Sequence, residues 1–217
     1  MRFSGPYGFR RALIATALAI SLTPVLRAHS VGKDSPVILC FGDSLTAGRG
    51  LEPQDAYPSL LQRELDRRGY RYRVINSGVS GNTTRDGIAR LEAALSENPS
   101  LIVLELGAND GFRREPIGNI RQNLIHLIEA FQRVNAIVIL AGLALPSNYN
   151  SRYARRFTRM YSRVAAERKV IVIPLLLQGV AGNPQLMQAD GLHPNAAGTR
   201  IVAQTVFQAL KPILASK

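Results

Sequence analysis

The sequence predicts an α/β fold, a three-layer α/β/α sandwich around a five-stranded parallel sheet. Three observations carry that reading. Five short, mostly apolar runs recur from residue 35 onward, each the length of one buried strand. Between them lie amphipathic stretches with apolar residues three and four positions apart. No repeat, low-complexity tract or linker divides the chain. Strands covered on both faces and joined by helices pair in parallel, and right-handed crossovers place the helices on both sides.

Residues 37–41 (VILCF) form the first predicted strand. Residues 57–68 follow as a helix, with Leu60, Leu61 and Leu65 on one side and charges on the other. Residues 72–77 are the second strand, and residues 83–95 a helix turning Ile88, Leu91 and Leu95 inward. Residues 101–106 are the third strand, and residues 117–133 a long helix with Ile120, Leu124, Leu127, Ile128 and Phe131 on its inner face. Residues 136–143 are the fourth strand, residues 149–168 are helical in part, residues 170–174 are the fifth strand, and residues 195–214 close the fold as a helix. In such sheets ligands sit beyond the carboxyl ends of the strands, so chemistry should gather just after strands one, two, three and the last.

The 217 residues are enough for one domain with a full core. Hydrophobic residues make up 46% and charged residues 19%, an ordinary globular balance that excludes disorder as the default. The single cysteine, Cys40, permits no internal disulfide, and the three histidines (His29, His126, His193) stand at no metal-ligand spacing. Neither a metal nor another cofactor is expected. The formal charge is +12, of which four arginines fall in residues 1–28, leaving +8 for the remainder. The remaining basic residues are scattered or lie on helices, as with Arg63, Arg67 and Arg68 or Arg152, Arg155, Arg156 and Arg159, and no aromatic-basic motif accompanies them. Nucleic acid is therefore not an expected partner. A solvated basic face is the ordinary reading, and peripheral attraction to anionic membrane the sharper one.

The N-terminus reads as an export signal. Arg10 and Arg11 close a basic stretch, and residues 12–22 (ALIATALAISL) are uncharged and apolar. Eleven residues are too few to span a bilayer, which takes roughly 20. A cut after Ala28 divides residues 1–28, a signal peptide, from a single domain over residues 29–217, although Leu26 is larger than the usual residue at that position. An uncleaved anchor is the alternative. The expected location is the periplasm or the exterior.

Four segments carry candidate chemistry. After the first strand, Gly42-Asp43-Ser44-Leu45 sets a serine among small residues at a strand's end, where it is either a nucleophile or a plain helix cap. It is not the G-x-S-x-G elbow, because position 46 is Thr. After the second strand, residues 76–84 (NSGVSGNTT) enter a helix, and the N–H groups there suit a developing negative charge; Asn82 or Thr83 also serves as a cap. After the third, the amide of Asn109 is either an oxyanion donor or part of a turn. Near the C-terminus, Asp190 and His193 stand three apart, so the carboxylate can fix the imidazole tautomer and leave the second ring nitrogen as a base. Pro194 fits the first turn of the closing helix.

In this order the segments resemble the SGNH or GDSL hydrolases. Gly42-Asp43-Ser44-Leu45 is similar to the family's first block, Gly81 to the second, Gly107-Ala108-Asn109-Asp110 to the third and Asp190-Gly191-Leu192-His193 to the last. The similarity extends from Val37 to Leu214 and is nearest to the small bacterial periplasmic arylesterases, acyl-thioesterases and lysophospholipases. The resemblance implies a flavodoxin-like sheet in the order 2-1-3-4-5. It implies Ser44, Asp190 and His193 as catalytic residues, with the Ser44 and Gly81 N–H groups and the Asn109 side chain as the oxyanion hole.

The expected activity is hydrolysis of carboxylic esters, and of thioesters, by a monomer acting on small, in part lipid-derived, substrates. Asp43 is the rival acid, but its place beside Ser44 suits bracing of the turn. His126, mid-helix among leucines and isoleucines, is read as structural. Leu145, Pro146 and Tyr149 are expected to line an acyl or aryl groove, with Leu176, Leu177, Val180 and Met187 either beside it or in the core. Two competing readings remain. One keeps the triad in a carbohydrate O-acetylesterase or an acyltransferase. The other is a non-catalytic nucleotide-binding module, which the absence of any G-x-G-x-x-G or P-loop pattern after strand one disfavours.

Overall fold

The computed structural model describes Met1, residues 35–146, Tyr149 and residues 151–214. The expected export signal lies, apart from Met1, outside the described residues. Five strands form one parallel sheet: β1 (Val37–Gly42), β2 (Arg73–Gly78), β3 (Pro99–Glu105), β4 (Ile137–Ala141) and β5 (Ile171–Ile173). Their order is β2-β1-β3-β4-β5, as the family resemblance implied. β1 is buried along its whole length because it lies between β2 and β3 under helices on both faces; Ile38, Leu39, Cys40 and Phe41 are fully inaccessible. The apolar run that marked it in the sequence is the consequence of that central place.

Eight α-helices are found among the described residues: α1 (Ser44–Ala47), α2 (Tyr57–Arg67), α3 (Thr84–Ala89), α4 (Leu91–Ser96), α5 (Ala108–Phe112), α6 (Ile117–Arg133), α7 (Ser151–Arg168) and α8 (Ala196–Leu210). α2 packs on α8, and α6 packs between α3 and α7, giving the two outer layers. The buried edge of α6 carries Ile120, Leu124, Leu127, Ile128 and Phe131, and Phe131 meets Phe41 of β1 edge-to-face at 5.6 Å.

Several expectations needed correction. The stretch 83–95 is two helices, because Arg90 leaves helical geometry and turns its guanidinium toward the strand ends. The short helices α1 and α5, one turn each, were missed because four or five residues carry no periodicity. The closing helix ends at Leu210 and tightens into a 3₁₀ turn at Lys211–Ile213, where Pro212 has no N–H to continue the ladder. Pro194 precedes the cap of α8 rather than opening the helix, and pairs with Met187 in a short antiparallel bridge. His126 is exposed to solvent rather than packed.

Pairing register sets up the site. Gly42 lies level with Gly78 on one side and Glu105 on the other, so three strands end together. The segments that follow them open on the same edge of the sheet.

Candidate active site

Ser44 is the first residue of α1, directly beyond β1. Asp43 caps that helix, its Oδ1 accepting from the Leu45 N–H at 3.1 Å. Asp43 thus braces the turn, as its position suggested. The turn can sit this close to the sheet only because residue 42 is glycine: a Cβ there would stand 2.0 Å from Thr46 Oγ1 and 2.6 Å from Glu105 Oε2.

The Ser44 hydroxyl lies 2.8 Å from His193 Nε2, across 149 residues of chain. His193 Nδ1 lies 2.6 Å from Asp190 Oδ2. A carboxylate only accepts, so Nδ1 carries the proton toward Asp190 and Nε2 is left to accept from Ser44. Asp190 is fixed in turn by the Leu192 and His193 N–H groups, which donate to its Oδ1 at 2.9 and 3.0 Å. Desolvation works to raise its pKa, but the bonds from the His193 ring and the two N–H groups outweigh it and hold Asp190 down to about 2. Asp190 is therefore ionised at any pH near neutrality.

Ser44, Gly81 and Asn109 line the same cleft. Gly81 lines the cleft in a left-handed conformation (φ 85°) with nothing within 4 Å of where a Cβ would stand. Neither its N–H nor that of Ser44 donates to a protein acceptor among the described residues. Asn109, in α5, presents Nδ2 to Asn82 O at 2.9 Å and to Asp43 Oδ2 at 3.2 Å. Thr83, not Asn82, caps α3, in a reciprocal arrangement with Asp86.

Two residues of this edge escaped the sequence reading. Glu105, at the end of β3, is wholly buried; its Oε2 accepts from the Asp43 N–H at 3.1 Å and from Thr46 Oγ1 at 2.8 Å, while Oε1 has no hydrogen-bond partner among the described residues. An acid inside the run LIVLEL was the available signal. Arg90 is the second. Its Nη2 donates to Gly42 O at 2.8 Å, Nη1 to Ser77 O at 2.9 Å and Nε to Asn82 Oδ1 at 2.7 Å, with the guanidinium 3.8 Å from the centre of the Phe41 ring. It ties the ends of β1 and β2 to the loop that holds Asn109.

Burial pushes the carboxyls of both Glu105 and Asp43 upward, Asp43 to about 6, and Asp43's charge adds to the effect on Glu105, shifting it toward its protonated form. The folded protein then keeps protons that the unfolded chain releases above about pH 4. This contribution favours the fold below that pH and is lost as pH rises through the folded pKa values. Asp190 acts in the opposite sense, but only between about pH 2 and 4. Thermal melts from pH 5 to 9 should show stability declining with pH, and a flatter profile for Glu105→Gln; identical slopes would mean that Glu105 does not titrate in this way.

A cleft of about 490 Å³ opens at the triad. Leu145 and Pro146 line it with Phe112, Leu143, Leu176 and Leu177. Tyr149 does not. Its ring packs behind Phe112, with centroids 5.8 Å apart, because α5 places the phenylalanine in front. Met187 lines the cleft and Val180 belongs to the core.

A hydroxyl, an imidazole and a carboxylate in series, beside unpaired N–H donors at the carboxyl edge of a parallel sheet, define the class of serine hydrolases with flavodoxin-like topology. Comparison with known proteins agrees. The GDSL-like Lipase/Acylhydrolase family matches residues 40–201. Esterase TesA of Pseudomonas aeruginosa is 42% identical over 178 residues, 82% of this chain and 89% of that protein. The arylesterase of Vibrio mimicus is 35% identical over 88% of this chain and 96% of its own length. Thioesterase 1/protease 1/lysophospholipase L1 of Escherichia coli is 34% identical over 82% and 84%. The crystal structure of TesA superposes with a TM-score of 0.80, covering 82% of this chain and 99% of that one. The chain belongs to the GDSL-like Lipase/Acylhydrolase family and is an ester hydrolase.

Proposed function

We propose that the protein cleaves carboxylic esters and thioesters with hydrophobic acyl or aryl groups, lysophospholipids among them, through an acyl-enzyme on Ser44. The observation that carries this reading is the unbroken series Ser44 Oγ, His193 and Asp190 at 2.8 and 2.6 Å. His193 Nε2 takes the Ser44 proton as Oγ attacks the carbonyl carbon. The oxyanion is received by the Ser44 and Gly81 N–H groups and by Asn109 Nδ2, which gives up its longer bond to Asp43. His193 then returns the proton to the departing oxygen or sulfur, and water repeats the sequence on the acyl-enzyme. Asp190 holds the imidazole and offsets the charge it acquires.

Leu145 and Pro146, with the other leucines and Phe112, are the proposed acyl wall, and Tyr149 acts on it only by supporting Phe112. That wall argues against the carbohydrate O-acetylesterase reading, since an acetyl group would leave most of its apolar surface uncovered. A fluorophosphonate probe should label the protein once, on Ser44, and long acyl esters should protect against it. Labelling elsewhere, or none, would remove the acyl-enzyme from the proposal.

The remaining parts of the reading are a chain exported by residues 1–28, periplasmic or secreted, folding as one monomeric domain from residue 29 onward. No helix among the described residues is long and apolar enough to cross a membrane. Attraction to anionic lipid is supported by α7, where Arg155, Arg156, Arg159 and Arg163 are exposed at spacings that put them on one side of the helix.

A further inference from the structure

The proton that His193 returns must go to the departing atom, so the leaving group lies on the imidazole side of the scissile carbonyl and the oxyanion donors on the other. On the imidazole side the cleft is bounded by Gly182, Met187, Gly191 and Leu192. Three of these, Gly182, Met187 and Gly191, also bound a second groove of about 390 Å³, completed by Pro184, Gln188 and Ala189. The two spaces therefore adjoin across these residues. A Cβ at Gly182 or Gly191 would meet nothing within 4 Å, so their shared floor is open.

Arg49 stands at this junction. It lines the cleft, and its backbone is held at both ends: its N–H donates to Ser44 O at 3.0 Å, and its carbonyl accepts from Gln188 Nε2, a residue of the second groove, at 2.7 Å. Its side chain is exposed, and its guanidinium has no hydrogen bond or ion pair among the described residues. No other lysine or arginine among the described residues lines either space. A planar fork of donors without an acid, five residues from the nucleophile, matches a carboxylate or phosphate supplied from outside.

We propose that this groove is the leaving-group site, and that Arg49, at its border with the cleft, selects esters and thioesters whose leaving group carries an acidic substituent. The proposal rests on the ester-hydrolase reading and adds the chemical class of the leaving group to it. The acyl side is apolar and the leaving-group side carries, among the described residues, one unneutralised cation, so the two halves of the substrate are told apart by polarity.

The test compares the butyrate ester of 4-hydroxybenzoate with that of 4-hydroxybenzamide, which has the same shape and no charge. The butyrate ester of 4-hydroxyphenyl phosphate separates phosphate from carboxylate. The ratio of kcat/KM for each anionic ester to that for the amide should fall about fivefold in R49Q, the upper range for an exposed pair. It should be largely retained in R49K and decline with added sodium chloride. A ratio that R49Q leaves unchanged, or an equal loss on all three esters, overturns the proposal. Binding of 4-butyryloxybenzoate to the Ser44→Ala protein, with and without R49Q, reads the site independently of turnover. Arg49-dependent binding there upholds the site even if no ester is cleaved, and Arg49-independent binding overturns it.

Discussion

Replacing Ser44 by alanine should leave a folded protein whose ester turnover is lower by about 10⁴-fold or more, the scale on which loss of a nucleophile acts. The substitution removes one oxygen whose partner, His193 Nε2, faces the cleft and can bond to water instead. The cap by Asp43 and the packing of α1 on β2 do not involve the hydroxyl, so the melting temperature should move little. Parallel measurement of kcat/KM and thermal midpoint checks both halves of the prediction. Normal turnover by the variant would dismiss Ser44 as nucleophile, and a large loss of stability would show that the hydroxyl also supports the turn.

Arg90→Ala should have the second largest effect, and on both properties. The side chain donates to the carbonyls of Gly42 and Ser77 and to Asn82 Oδ1 while covering the face of Phe41. Removing it leaves strand-end acceptors short of a donor and exposes an aromatic face, a loss of about 2–4 kcal/mol in total. The loop carrying Asn82 then loses its anchor, and Asn82 O is what orients Asn109. A shift of about 1 Å in a group at the reacting centre can lower the rate about a hundredfold. The expected result is a lower denaturation midpoint with a fall in kcat exceeding any rise in KM. Arg90→Lys should recover little, since one ammonium cannot reach three acceptors on three segments. A variant that is less stable but retains kcat would reduce Arg90 to a structural tie.

How much of this was legible beforehand differs by element. β1, β3 and α6 were legible because burial on both faces, or along one helical edge, leaves a long apolar record. Ser44 was legible from its place just beyond a strand end, and Asp190 and His193 from an acid three residues before a histidine ahead of the closing helix. The break at Arg90 was not, because nothing in a run of helix-forming residues says that one guanidinium will be drawn to carbonyls of distant segments. Glu105 gave a local sign, an acid in an apolar strand, but its partners at positions 43 and 46 are visible only once β1 and β3 are paired. Tyr149 was misplaced for the same reason: its relation to the cleft depends on Phe112, which α5 brings forward from another part of the chain.

The contact between Asn109 and Asp43 gives the resting enzyme a competitor for its own substrate. A neutral ester carbonyl is a weak acceptor and gains little by displacing a carboxylate from that amide. Once the carbonyl oxygen takes up full negative charge, the two rivals are evenly matched and the hydrogen can change hands. With Asn109 in the proposed oxyanion role, attraction would be withheld from the bound ester and released at the top of the barrier, speeding turnover instead of tightening the grip on unreacted material.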